Sequence, residues 1–210
     1  MKLFSRSFKD GETIPGKNSF AVYDAENHIR LSDNLNPHLG WEDIPAGSRS
    51  LVLLCHDPDV PSEGENVNQA GRTVAASLPR INFFHWALLN IPPEQYEIEE
   101  GSQSSGITVK GKSGPDAPQG LLHGINDYTA WFAGDESMAG DYYGYDGPCP
   151  PWNDEIIHRY IFTLYALPTA ELSVSGELTG ANIFNALNSS EILAKATLTG
   201  VYSLNPDVTA

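Results

Sequence analysis

Leu51-Val52-Leu53-Leu54-Cys55-His56-Asp57-Pro58-Asp59-Val60-Pro61 is the most informative stretch of this 210-residue chain, because five apolar residues run straight into two carboxylates and the first of two prolines. A short, unbroken apolar run of this kind reads as a buried strand. Each proline fixes its own φ and pushes the residue before it toward extended geometry, so Asp57 leaves the strand on a stiff exit. Such an exit is either an acidic turn capping a strand or one wall of a site. Working outward, 19 glycines and 15 prolines break the sequence into short β-branched and aromatic runs, which predicts a mainly β architecture. Strands are expected over 49–55, 81–91 and 156–167, with weaker candidates over 3–8, 20–23, 107–110 and 197–202. Ile183, Ala186, Leu187, Ile192, Leu193 and Ala196 recur at helical spacing and predict a C-terminal helix over 181–196, which a second cap at Ser189 or Ser190 could split. Residues 101–143, rich in Gly, Ser and Asp, read as a long excursion over the surface of one domain spanning 1–210.

Composition narrows the function classes. With 27 acidic and 12 basic residues the formal charge is −15, a field that repels phosphate backbones and anionic membranes, so no nucleic-acid partner is expected. The longest apolar run is far shorter than the roughly 20 residues of a membrane helix, so no membrane span is expected. Met1-Lys2-Leu3-Phe4-Ser5-Arg6 turns polar before an apolar leader can build, and Cys55 and Cys149 are only two thiols. Together these predict a cytoplasmic protein with both cysteines free.

Two histidines are unusual for their surroundings. In Phe83-Phe84-His85-Trp86-Ala87-Leu88-Leu89, period-2 alternation places His85 with Ala87 and Leu89. In Ile156-Ile157-His158-Arg159-Tyr160-Ile161-Phe162-Thr163-Leu164, it places His158 with Tyr160, Phe162 and Leu164. Each alone is an ordinary hydrogen-bonded core histidine, but two beside Asp57 call for a common explanation. Ahead of the second strand, Gly147-Pro148-Cys149-Pro150-Pro151 is stiff enough to wall a preformed pocket without ordering on binding. Two other motifs are set aside. Gly106-Ile107-Thr108-Val109-Lys110-Gly111-Lys112-Ser113 has phosphate-loop spacing, but Gly114, Pro115, Pro118 and Gly120 forbid the helix that such a loop must open. Asn188-Ser189-Ser190 is a glycosylation triplet inside a helical pattern.

Taken together, the run from Asp57 to Pro61, His85-Trp86, the Gly147 to Pro151 loop and His158-Arg159-Tyr160 resemble the phosphatidylethanolamine-binding protein family, whose members are also called Raf kinase inhibitor-like proteins. Asn36-Pro37-His38-Leu39-Gly40-Trp41 and Gly124-Ile125-Asn126-Asp127-Tyr128 look like marks of its bacterial and archaeal branch. The resemblance implies a β-sandwich of Greek-key character and a small pocket for anions such as phosphate or a phospholipid headgroup. Carried over, it implies a ligand site of Asp57, Asp59, Pro61, His85, Pro148, Cys149, Pro150, His158 and Tyr160. Val60 replaces the family's usual alanine and His56 stands where acidic or small polar residues are commoner, which implies a rim of different shape and charge.

Three function classes follow. The first is a non-enzymatic binding protein, possessing no cofactor, in which imidazolium donors and Tyr160 hold a small anion while Asp57 orients the rings. Its affinity should then rise as the pH falls from about 8 to about 6, where an unperturbed histidine gains its proton. The second is a hydrolase-like or metal-dependent enzyme using Asp57, His85 and His158. The third is a protein-interaction module inhibiting a kinase or protease through the 101–143 excursion. Monomer and homodimer both remain open.

Overall fold

A computed structural model describes residues 1–208. Its strands in chain order are β1 (Lys2–Phe4), β2 (Ala21–Asp24), β3 (His28–Leu31), β4 (Leu39–Glu42), β5 (Ser50–Pro61), β6 (Arg80–Ile91), β7 (Glu97–Ile98), β8 (Leu122–His123), β9 (His158–Leu167) and β10 (Ala194–Tyr202). Among the described residues two α-helices accompany them, α1 (Tyr128–Trp131) and α2 (Gly180–Asn188). The larger sheet has the order β10-β9-β5-β6-β8 and a smaller one the order β1-β4-β7, while β2 and β3 form a separate hairpin. Every pairing in these sheets is antiparallel. Within the larger sheet, β9 returns by a long connection to lie beside β5, giving the order 9-5-6-8. That is the Greek-key arrangement, the fourth strand beside the first.

The β5 run is apolar without alternation because both its faces are covered. Leu51, Leu53 and Cys55 join Trp41 and Leu39 of β4, Trp86 of β6 and Phe162 of β9 in the core between the sheets. Val52 and Leu54 instead meet Ile183 and Leu187 of α2 on the opposite face. The protein is therefore mainly β, a sandwich with one helix on its back. Among the described residues no helix is long and apolar enough to cross a membrane.

Four expectations need correction. The strand predicted over 49–55 continues to Pro61, because bulges absorb the prolines rather than ending the pairing. The helix predicted over 181–196 starts at its Thr179 cap, whose hydroxyl accepts from the Asn182 amide, but stops at Asn188. There the Ser189 and Ser190 hydroxyls donate to the Asn185 and Ala186 carbonyls. The chain then reverses, and Ala194 onward pairs in register with β9, where nine ladder partners outweigh a helical apolar spacing. Residues 107–110 form a turn rather than a strand, with Lys110 at φ 67° and Gly111 at φ 90°. Nor is the 101–143 segment only a surface excursion, since it supplies β8, α1 and the buried Leu121, His123, Asn126 and Tyr142.

Candidate functional site

The site begins with an irregularity in β6. Cys55 stands opposite Trp86 and His56 opposite Phe84, so His85 is the extra residue of a β-bulge. The bulge switches the alternation. Phe83 and His85 line a cavity, Trp86 and Leu88 carry on into the core between the sheets, and Ala87 and Leu89 pack with α2. The grouping of His85 with Ala87 and Leu89 is thereby corrected. A second bulge follows Asp57 in β5, where the Asp59 amide turns back to donate to Asp57 Oδ1 at 2.7 Å.

The cavity holds about 700 Å³. Asp57, Pro61, His85, Cys149, Pro150, His158 and Tyr160 all line it, which brings seven of the nine expected residues to one concave surface. Asp59 and Pro148 are the exceptions. Asp59 is drawn off by Arg159, whose Nε and Nη2 donate to it at 2.8 and 2.7 Å and whose amide donates at 3.0 Å. Burial would raise the Asp59 carboxyl, but these bonds hold it below its ordinary range. Pro148 is committed through its carbonyl, which accepts the Phe20 amide at 2.9 Å and so fixes the wall from behind. Val60 lines the cavity, whereas His56 packs near Phe84 and Phe184 and takes no part in the rim.

The two histidines are in opposite electrostatic situations. His158 Nδ1 lies 2.7 Å from Asp57 Oδ2 and its Nε2 lies 3.1 Å from Asp154 Oδ2. Arg80 completes a chain by donating to both Asp154 oxygens, at 2.6 and 3.0 Å. Burial alone would lower the His158 pKa, but the bonds to Asp154 and Asp57 outweigh it and raise the pKa to about 9. The ring is therefore a fixed cation with both N–H groups spent. His85 is depressed to about 4, chiefly by burial, which Asp57 and the Asp146 carbonyl only partly offset. Neither ring changes charge between pH 8 and 6, so titration of these histidines is not a source of the pH dependence expected for the site.

Around these groups the lining is apolar. Phe20 stacks on Tyr128 with centroids 4.7 Å apart, and Phe83 meets the edge of Tyr128 at 5.3 Å. At the mouth Leu31, Ile81 and Trp131 are 60, 50 and 53% exposed, so an apolar collar surrounds a polar floor. Tyr160 adds a buried hydroxyl with no partner among the described residues. Its pKa is raised well above the ordinary value, first by burial and then by Asp57, which keeps it a hydrogen-bond donor.

Several contributors escaped the reading from sequence. Asp154 and Arg80 announce themselves only through contact with His158, and Tyr128 and Trp131 come from the segment read as surface loop. Lys112, the lysine of the discounted phosphate loop, is tied to Asp146 at 2.6 Å and to the Tyr145 carbonyl at 3.0 Å. Among the described residues no group of three or more His, Cys, Asp or Glu side chains is gathered in a form that could hold a metal ion.

Comparison with known proteins agrees with this architecture. The family model for phosphatidylethanolamine-binding protein matches residues 4–203. The UPF0098 protein YbhB of Escherichia coli K12 is 30% identical over 201 residues, covering 92% of this chain and 98% of that one. A UPF0098 protein of Aquifex aeolicus is 31% identical over 204 residues, covering 96% of this chain and 88% of that one. Among solved structures, Escherichia coli YbcL, described as a new member of the mammalian PEBP family, superposes with a TM-score of 0.66 at 25% identity, covering 96% of this chain and 97% of that one. A phosphatidylethanolamine-binding protein homologue from Chlamydia trachomatis gives 0.61 at 27% identity, covering 96% of each chain. A match over nearly the whole length, on a fold and a set of motifs that agree with it, places this chain in the phosphatidylethanolamine-binding protein family, of the type found in bacteria and archaea.

Proposed function

We propose that this protein binds, without transforming it, a small phosphate-type group, either free or as the headgroup of a phospholipid. The observation that carries the reading is the Tyr160 hydroxyl, a buried donor without a partner, on a residue that lines the polar floor of a cavity with apolar walls. An unsatisfied buried hydroxyl costs about 1 to 3 kcal/mol, which a ligand oxygen would recover. The chain Asp57, His158, Asp154 and Arg80 carries two charges of each sign, so the floor does not repel an anion as the −15 of the whole chain suggests. That distant field is screened over about 8 Å at physiological salt. Aromatic walls and the exposed collar suit the non-polar part of an ester.

Catalysis is disfavoured by the same geometry. His158 has no free nitrogen to act as a base, burial leaves His85 only a weak one with its pKa lowered to about 4, and burial pushes the Cys149 thiol up to about 12, far from a nucleophilic thiolate. The free thiols Cys55 and Cys149 suit the reducing cytoplasm. The test is titration calorimetry with inorganic phosphate and phosphoethanolamine on wild type and Tyr160→Phe. Loss of one hydrogen bond to a charged ligand should weaken binding by about tenfold or more, since such bonds contribute ~1.5 to 3 kcal/mol. The same substitution should leave the unliganded protein at least as stable, because it removes an unsatisfied polar atom. Unchanged affinity in the variant would place the anion elsewhere.

A further inference from the structure

We infer that the cavity selects phosphate groups that carry a proton: a phosphomonoester monoanion in preference to its dianion, and in preference to a sulfate ester of equal charge. This rests on the phosphate-site reading above and specifies which species occupies it. The argument starts from a single hydrogen bond. His85 Nδ1 lies 2.7 Å from the main-chain carbonyl oxygen of Asp146, which can only accept, so Nδ1 must bear the ring proton. In a neutral imidazole the other nitrogen, Nε2, then offers a lone pair, and among the described residues the protein gives it no partner.

The tautomer is held from several sides. The Asp146 amide donates to the His85 carbonyl at 3.2 Å, so the two residues are tied reciprocally. The Asp146 carboxylate is pinned by Lys112 at 2.6 Å, Asn34 at 2.7 Å and Asn126 at 2.9 Å, which keeps the peptide from turning its carbonyl away. The ring itself is packed by Phe83, Tyr160 and Tyr128, with centroids 4.9, 5.1 and 5.7 Å from its own.

The groups that bear on the charge of His85 come from every neighbouring element. From β5 come Asp57, which favours protonation, and His56, which opposes it; from β9 comes the fixed His158 cation, which also opposes it. Tyr128 of α1 and Tyr160 of β9 are neutral, their phenol pKa values raised well above the ordinary value foremost by burial. Burial outweighs all of these and keeps the ring neutral through the physiological range.

On the floor beside Asp57, whose oxygens are already engaged by the Asp59 amide and His158, a ligand meets one unpartnered donor, Tyr160, and one unpartnered acceptor, His85 Nε2. A fully deprotonated oxyanion has only acceptors, so it sets lone pair against lone pair at Nε2 and brings its charge toward the Asp57 carboxylate. A monoanion with a P–O–H group donates to Nε2 and accepts from Tyr160. Wherever the proton sits along that O–H···N line, the complex holds one proton more than the free dianion and the free protein do together.

Phenyl phosphate and phenyl sulfate test this, because at pH 5 both are mainly monoanions of similar shape and only the phosphate carries an O–H. Calorimetry from pH 5 to pH 8, in buffers of different ionisation enthalpy, should show the phosphate binding about tenfold or more tighter at pH 5, as expected for one hydrogen bond to a charged group. Its affinity should fall toward tenfold per pH unit above the ester's second pKa of about 6, with uptake of about one proton per ligand at pH 8. The sulfate ester should change little, and His85→Phe should erase the preference. Independently, ring ¹⁵N spectra of the wild type should show His85 as the Nδ1–H tautomer. Equal affinities at pH 5, tighter phosphate binding at pH 8 without proton uptake, or an Nε2–H tautomer would each overturn the inference while leaving a phosphate site standing. Failure of both esters, inorganic phosphate and phosphoethanolamine to bind at any pH would sink the phosphate-site reading itself, and this inference with it.

Discussion

Replacing Asp154 with alanine is expected to destabilise the protein by about 3 to 5 kcal/mol at neutral pH, the magnitude of breaking a buried ion pair from one side. Asp154 is 1% exposed and serves two cations at once, His158 through Oδ2 and Arg80 through both oxygens. Removing it leaves His158, with no exposed surface, holding a proton that only Asp57 still stabilises. The ring should respond by losing part of its affinity for that proton, so its pKa should fall from about 9. Asp154→Asn, which keeps the shape and removes the charge, should produce the same fall in pKa with a smaller cavity penalty. Urea unfolding gives the stability and ring NMR the titration. A loss below 1 kcal/mol, or a His158 pKa that stays near 9 in both variants, would show that Asp57 alone holds the cation.

Asp154 also marks where reading from sequence stops. It is four residues before His158, but no helix joins them, so nothing in the spacing signals that their side chains meet. Arg80 lies 74 positions away and reaches Asp154 only because β6 is laid beside β5 and β5 beside β9. By contrast, Asp57, His85 and His158 could be singled out because each breaks a strong local pattern, a polar residue in or against an apolar run. The grouping of His158, Tyr160, Phe162 and Leu164 is visible in the sequence because β9 keeps its alternation to the end. The grouping around His85 is not, because a bulge is a property of the pairing between two strands and leaves no mark on either alone. The same distinction explains the C-terminal helix. Its start has a local cap at Thr179, whereas its end is decided by the ladder that β10 forms with β9, a partner many residues away. Asp59 shows the limit of carrying residues over by family motif, since its carboxylate serves Arg159 and does not line the cavity.

The two histidines should also give the stability curve two limbs of opposite slope that meet near pH 6.5. His158 is raised from 6.5 to about 9 in the folded protein, so it favours folding at acidic and neutral pH, and that contribution is lost as the pH rises through about 9. His85 is lowered from 6.5 to about 4, so the unfolded chain takes up its proton first, and stability present above 6.5 is lost as the pH falls toward 4. At about 1.4 kcal/mol per pH unit, each limb amounts to roughly 3 kcal/mol. Equilibrium urea unfolding of the wild type between pH 4 and pH 9 should show both, with carboxylate titration adding to the acidic side. The variants separate the causes: His158→Gln should flatten the basic limb and leave the acidic one, and His85→Phe should reduce only the acidic one. Cys149 does not confuse the basic limb below pH 9, because its thiol, raised to about 12 when folded, titrates from 9 when unfolded. A wild-type curve level between pH 6.5 and pH 9 would mean that His158 is not the buried cation its two carboxylates imply. The neutral floor on which both the phosphate site and its preference for a proton-bearing ligand depend would then carry an uncompensated negative charge.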